Sequence, residues 1–181
     1  MALPAVFSLD AGNKVVARQG VTRFGDMRRV LEKIVSGGQT GVDRAALDVA
    51  LELGIGCGGW CPRGRRAEDG RIPRRYPMRE TPSQAYGART RLNVGDSDAT
   101  LILIHGQPAG GTALTIDIAG ELGRPLLVAD PDDPAANETV MQWLVANHVV
   151  SLNVAGPRES IEPGIYGRAA AFLKRLLSAK R

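Results

Sequence analysis

The chain has 181 residues, 44% of them hydrophobic and 23% charged, with a net charge of +4. That is enough to bury one substantial core, and it excludes disordered and fibrous classes. Aromatics make up only 4%, too few to furnish the stacking platforms of a single-stranded nucleic-acid binder, and no run approaches the roughly 18 apolar residues of a membrane helix.

Residues 1–28 show no sustained period and are read as an N-terminal extension, with Lys14–Ala17 a candidate edge strand and Met27 an alternative start. No charged n-region precedes an apolar stretch there, so no secretory signal is expected and the cytoplasm is the expected compartment. Residues 29–181 are read as a single domain. Lys33-Ile34-Val35 is a short apolar run, followed by the turn Ser36–Gly41 and an amphipathic helix. Val42, Ala45, Ala46, Val49, Ala50 and Leu53 give that helix its apolar stripe. Thr40 and Asp43 have the spacing of a capping box, and Gly54 ends the helix.

Residues 55–82 carry glycine, proline and arginine without a period and read as a long ordered loop, a length that implies function. Six arginines lie between Arg63 and Arg75 against only Glu68 and Asp69, a local anion-binding or subunit-contact surface. Cys57 and Cys61 have no second pair to complete a zinc site, so no metal is expected and the thiols read as reduced. Ser83 caps a helix reaching about Val94. Ala99–Ile104 is a buried strand, Gly106–Thr112 a second glycine turn, and Leu114, Ile118 and Leu122 line the next helix. Pro125–Ala129 reads as strand, Glu138–Asn147 as helix and Val149–Val154 as the last core strand. The turn Gly156–Ser160 then leads to a helix over Pro163–Ser178, with Tyr166, Ala169, Leu173, Leu176 and Leu177 on one side.

This alternation of strand and helix predicts an α/β fold, one Rossmann-like domain with a mainly parallel sheet and helices on both faces. The three glycine turns then gather at the carboxyl edge of the sheet, where strand-to-helix turns hold anions on backbone N–H groups. None of them fits the P-loop or the G-x-G-x-x-G pattern, which disfavours a conventional ATPase or dinucleotide dehydrogenase.

From residue 33 to about 178 the chain resembles a known family. Ile34-Val35-Ser36-Gly37-Gly38-Gln39-Thr40-Gly41-Val42-Asp43-Arg44-Ala45-Ala46-Leu47-Asp48 is similar to the opening of the molybdenum carrier (molybdenum cofactor carrier) proteins. These form part of the circularly permuted YpsA-like branch of the LOG-type (SLOG) Rossmann-like superfamily. Gly59–Gly70, Arg89-Thr90, Asn93-Val94, Ser97–Thr100, Gly110-Gly111-Thr112 and Asn153–Ser160 extend the match. The resemblance implies a protein that binds molybdenum cofactor, or another phosphorylated small molecule, without transforming it. That cofactor has a phosphate monoester on a pterin and a metal held by its own dithiolene, so its carrier need supply no metal ligand. Gly37, Gly38, Thr40, Gly41, Gly110, Gly111 and Thr112 suit the phosphate; Gln39, Asn93 and Arg158 suit the pterin edge; Arg63 is the loop arginine nearest the site.

LOG-type enzymes that hydrolyse nucleoside monophosphates are similar around Gly110–Thr112 but place a carboxylate where this chain has Thr115, a poor general base. A catalytic residue is therefore not assigned, although Asp43, Glu68, Asp69 or Asp117 could bring a carboxylate from elsewhere. A nucleotide-processing enzyme and a nucleotide-sensing module acting through a homo-oligomer remain as alternatives. Individual residues also have plainer roles. Asp43 reads as a partner of its helix N-terminus and Arg44 as the i+4 partner of Asp48. Tyr86, Arg89, Thr90 and Asn93 share a helix face that is either solvated or a cleft wall. Trp60 reads as packing or an oligomer contact, and His105 as structural.

Overall fold

A computed structural model describes residues 31–178 and, before them, two short backbone segments, β1 (Ser8–Leu9) and β2 (Val15–Val16), which pair antiparallel. The candidate edge strand therefore pairs within the extension at Val15–Val16; the rest of residues 1–28 lies outside the described residues. The main elements follow as β3 (Lys33–Val35), α1 (Val42–Leu53), β4 (Gly56–Cys61), β5 (Arg66–Ala67), β6 (Gly70–Arg71), β7 (Met78–Glu80), α2 (Tyr86–Gly95), β8 (Ala99–Leu103), α3 (Gly110–Glu121), β9 (Leu126–Ala129), α4 (Ala136–Ala146), β10 (Ser151–Ala155) and α5 (Ile165–Leu177).

Six strands form one sheet in the order β7-β4-β3-β10-β8-β9, and every neighbouring pair is parallel. The register sets Leu152 beside Ile34 on one side and beside Ala99 on the other. Parallel strands buried on both faces need continuous apolar runs, and β8, Ala99-Thr100-Leu101-Ile102-Leu103, is buried throughout. The crossover from β3 through α1 leads toward β4, whereas that from β8 through α3 leads the opposite way to β9. Right-handed crossovers in opposite directions put α1 and α3 on opposite faces. The core divides accordingly. Val42, Ala46, Val49, Leu144, Phe172 and Leu173 pack α1, α4 and α5 on one face, while Val94, Ile118 and Ala119 join α2 to α3 on the other.

Three expectations change. Residues 55–82 are not one loop: they contain β4, the β5–β6 hairpin and β7. The glycines of β4 hide it from any hydrophobic period; they permit close approach, since a Cβ on Gly59 would lie 2.2 Å from the Ser36 carbonyl oxygen. The apolar stripe of α3 is displaced, with Leu114 and Leu122 each 38% exposed and Thr112, Thr115, Ile118 and Ala119 facing inward. The capping box is absent: Gly41 holds the N-cap position of α1 with no side-chain cap.

Candidate functional site

The chain reverses its direction of travel along the sheet around β10, and this is where an open α/β sheet leaves a crevice outside its strand ends. A cavity of about 440 Å³ occupies that place, within the range of small-molecule sites. One wall is the first turn of α1 with Gln39 and Asp43; α2 supplies Tyr86, Arg89 and Thr90; the start of α3 supplies Gly110, Gly111 and Thr112; and the turn after β10 supplies Gly156, Pro157 and Arg158.

Helix α3 begins at Gly110 after Ala109, and no side chain caps it. The Gly110 and Gly111 N–H groups thus have no intrahelical acceptor and carry the positive end of the helix dipole into the cleft, whereas the Thr112 N–H donates to the Ala109 carbonyl at 3.1 Å. Thr112 is buried beside them. Thr115 also lines the cavity, but its hydroxyl donates to the Gly111 carbonyl at 2.9 Å.

Asp43 is 3% exposed. Its Oδ2 accepts the Gln39 N–H at 3.2 Å and Arg89 Nη1 at 3.1 Å. Burial pushes the Asp43 carboxyl above its ordinary range, against the pull first of Arg89 and then of the Gln39 N–H and Arg44. The guanidinium carbons of Arg158 and Arg89 stand 5.2 and 5.9 Å from the centroid of the Tyr86 ring, so a cationic pair borders that aromatic. The polar face of α2 is therefore a cleft wall at Tyr86, Arg89 and Thr90.

Gln39 holds the junction between the cleft and the first turn. Its Oε1 accepts the N–H groups of Thr40 and Glu68 at 3.0 and 2.9 Å, while the buried Nε2 has no partner among the described residues. A buried amide left with an unmade donor is costly, and here it belongs to a residue that lines the cavity.

Five of the residues expected from sequence meet at this cleft: Gln39, Gly110, Gly111, Thr112 and Arg158. The others stand elsewhere. Arg89 Nη1 fills the space over Gly37, while Ile72 and Met78 cover Gly38. A Cβ on Gly41 would lie 2.4 Å from the Pro157 carbonyl oxygen, so this glycine lets the first and third turns touch. Thr40 donates its hydroxyl to Glu68. Asn93 is turned onto Trp60, accepting its N–H at 2.7 Å and donating to its carbonyl at 3.0 Å. Arg63 is exposed and outside the lining.

Arg65, rather than Arg63, is the buried member of the arginine segment, and it donates to the carbonyls of Ile72, Pro73, Tyr76 and Met78. Arg44 pairs with Asp69 at 3.2 Å, not with Asp48, which accepts from Arg75, Tyr76 and Tyr166. Trp60 Nε1 donates to Asp96 at 2.8 Å. Sequence reasoning missed Arg89 and Tyr86 as cleft residues only in part, since their helix face was legible and its orientation was not.

His105 lines the rim and sits 2.8 Å from Asp130. Among the described residues, the group close enough to share a metal is His105, Asp130 and Asp132, with donor atoms within 4.8 Å of one another. Asp132 also pairs with Arg168 at 3.5 Å. Cys57 and Cys61 are free thiols, and burial pushes both up in pKa. No helix among the described residues is long and apolar enough to cross a membrane.

The circularly permutated YpsA SLOG family matches residues 34–177. The chain is also similar to a crystal structure described as "Putative molybdenum carrier protein", from Syntrophus aciditrophicus SB. The two share 44% identity over 83% of this chain and 96% of that one, with a TM-score of 0.80. No curated protein matches the chain.

Proposed function

The chain belongs to the circularly permuted YpsA SLOG family, and from that premise we propose that its cleft binds a phosphorylated small molecule and carries it without transforming it. The name of its structural relative points to a molybdenum-containing cargo, and molybdenum cofactor is the phosphorylated molecule we assign to it. The observation that carries this reading is the uncapped start of α3, opening into a cavity lined also by Gln39 and by the two arginines Arg89 and Arg158. Backbone N–H groups at a helix start favour phosphate, and guanidinium groups add charge-assisted bonds.

For molybdenum cofactor, Gly110, Gly111, Thr112 and Arg158 suit the phosphate monoester. Gln39 and Asp43 suit the donor and acceptor edge of the pterin, with Tyr86 at the rim. The chain's own part is to bind, orient and shelter. Thr115 spends its hydroxyl on its own helix, which supports carriage over hydrolysis.

Native mass spectrometry of protein purified without added ligand tests the reading. The expected result is a retained phosphorylated molecule, on a homo-oligomer, that is lost in a Gly111→Asp variant. Ligand-free protein that neither a pterin phosphate nor a nucleoside monophosphate stabilises against heat would reject it.

One observation favours the enzymatic alternative: Asp43 brings a buried carboxyl to the cavity that Thr115 lines. On that reading a nucleoside monophosphate releases free base in the presence of the protein, and Asp43→Asn stops the release. The carrier reading expects no free base from either.

A further inference from the structure

The tip of the β5–β6 hairpin reaches across to both of the glycine turns that flank α1. The Glu68 carboxylate accepts the hydroxyls of Thr40 and Ser160 and, at 3.3 Å, the Ser160 N–H. Its own N–H is held by Gln39 Oε1 at 2.9 Å, and its neighbour Asp69 pairs with Arg44, which also donates to the Gly38 carbonyl. Thr40 and Ser160 come from opposite ends of the chain and meet only because the turns after β3 and β10 touch, with the Glu159 N–H donating to Thr40 Oγ1 at 3.3 Å. Burial would raise the Glu68 carboxyl, but the Ser160 and Thr40 donors and the charge of Arg158 outweigh it and hold it below its ordinary range.

An ionised carboxylate caught by hydroxyls and an N–H ahead of a helix start is an oxyanion in an oxyanion's surroundings. Glu68 is exposed, so an anion from solution can reach the same donors. Gln39, a residue of the cleft lining, holds the hairpin through its Oε1.

We propose that Glu68 is a displaceable strap: an oxyanion such as phosphate competes for the Thr40 and Ser160 donors, releases the hairpin and frees Gln39. Thr40, Glu68 and Ser160 lie outside the cavity lining, so the donors in competition are not those of the cleft.

The experiment uses inorganic phosphate in the Gly111→Asp background, where the α3 end of the cleft is blocked. Removing the internal competitor with Glu68→Ala is expected to tighten phosphate binding about tenfold by calorimetry, and adding Thr40→Val and Ser160→Ala to cancel the gain. A carboxylate that merely pins the hairpin gives Glu68→Ala a lower melting temperature and no gain in phosphate affinity; that result overturns the proposal. Should Glu68→Ala not fold, hydrogen exchange of the parent decides. Phosphate must speed exchange at Arg66–Arg71 relative to chloride at equal ionic strength, and unchanged or slowed exchange overturns the strap. Loss of cleft binding elsewhere leaves both outcomes intact, so failure of the carrier reading and failure of the strap are told apart.

Discussion

Arg89 Nη1 stands 1.3 Å from the point where a Cβ on Gly37 would begin, and 3.1 Å from Asp43 Oδ2. The glycine makes room for a cation that satisfies a buried acid. Gly37→Ala should therefore evict the guanidinium and leave Asp43 with the Gln39 N–H alone. Breaking one side of a buried pair costs about 3 kcal/mol or more, and Arg89→Met should cost a similar amount. In denaturant titrations the double variant should be no less stable than the worse single one. Additive losses would show that Gly37 and Arg89 act separately.

Gly111 offers a cleaner probe of the cleft, since a Cβ there meets nothing within 4 Å. Gly111→Asp places an acid in the first turn of α3, which adds about 0.3–1 kcal/mol of helix stability. The melting temperature should hold or rise, while affinity for a nucleoside monophosphate or pterin phosphate falls about 100-fold through like-charge repulsion. Gly120→Asp, in the same helix and also with open space around it, should leave calorimetric affinity unchanged. Equal affinities for all three proteins would move the anion away from α3.

The frame of the fold was legible because its signals are local. The stripe Val42, Ala45, Ala46, Val49, Ala50 is buried as its spacing requires, and Ala99–Leu103 is apolar enough to be a central strand. β4 was not legible, because glycines that let Ser36 approach leave no alternation to read. Part of the cavity lining was legible from the second and third glycine turns, at Gly110–Thr112 and at Arg158. Of the first glycine turn only Gln39 lines the cavity, for a physical reason. Arg89, 46 residues away from Asp43, fills the space over Gly37, and Glu68 engages Thr40. Which side of a turn faces a ligand is set by such long-range partners, not by the turn.

Asn93 separates structure from binding. Both ends of its amide are spent on the main chain of Trp60 in β4. Asn93→Ala leaves a donor and an acceptor of that strand unpaired, at about 1–3 kcal/mol each when buried. The chemical-denaturation midpoint should drop clearly, while ligand affinity of the folded fraction stays within about twofold of the parent, a shift of only a few tenths of a kcal/mol. A variant that keeps its stability but loses affinity would return Asn93 to the cleft.

Asp98 sets the register of the two central strands β10 and β8. Its Oδ2 accepts the Val150 N–H at 3.0 Å, the Ser151 N–H at 2.7 Å and the Ser151 hydroxyl at 3.1 Å. Burial would raise this carboxyl, yet the Ser151 and Val150 donors outweigh it and hold it below the usual 3.8. A carboxyl lowered by folding stabilises the folded state above its unfolded pKa, and that contribution is lost as pH falls through the folded value. Asp98→Asn keeps the shape and removes the charge, so it should cost about 1.5–3 kcal/mol at neutral pH, the worth of hydrogen bonds to a charged acceptor. Measured by urea unfolding, the gap between the two proteins should stay constant above about pH 5 and close progressively below 3.8 as Asp98 takes up its proton. A gap that persists at low pH would mean that the side chain's shape, and not its charge, aligns β10 with β8.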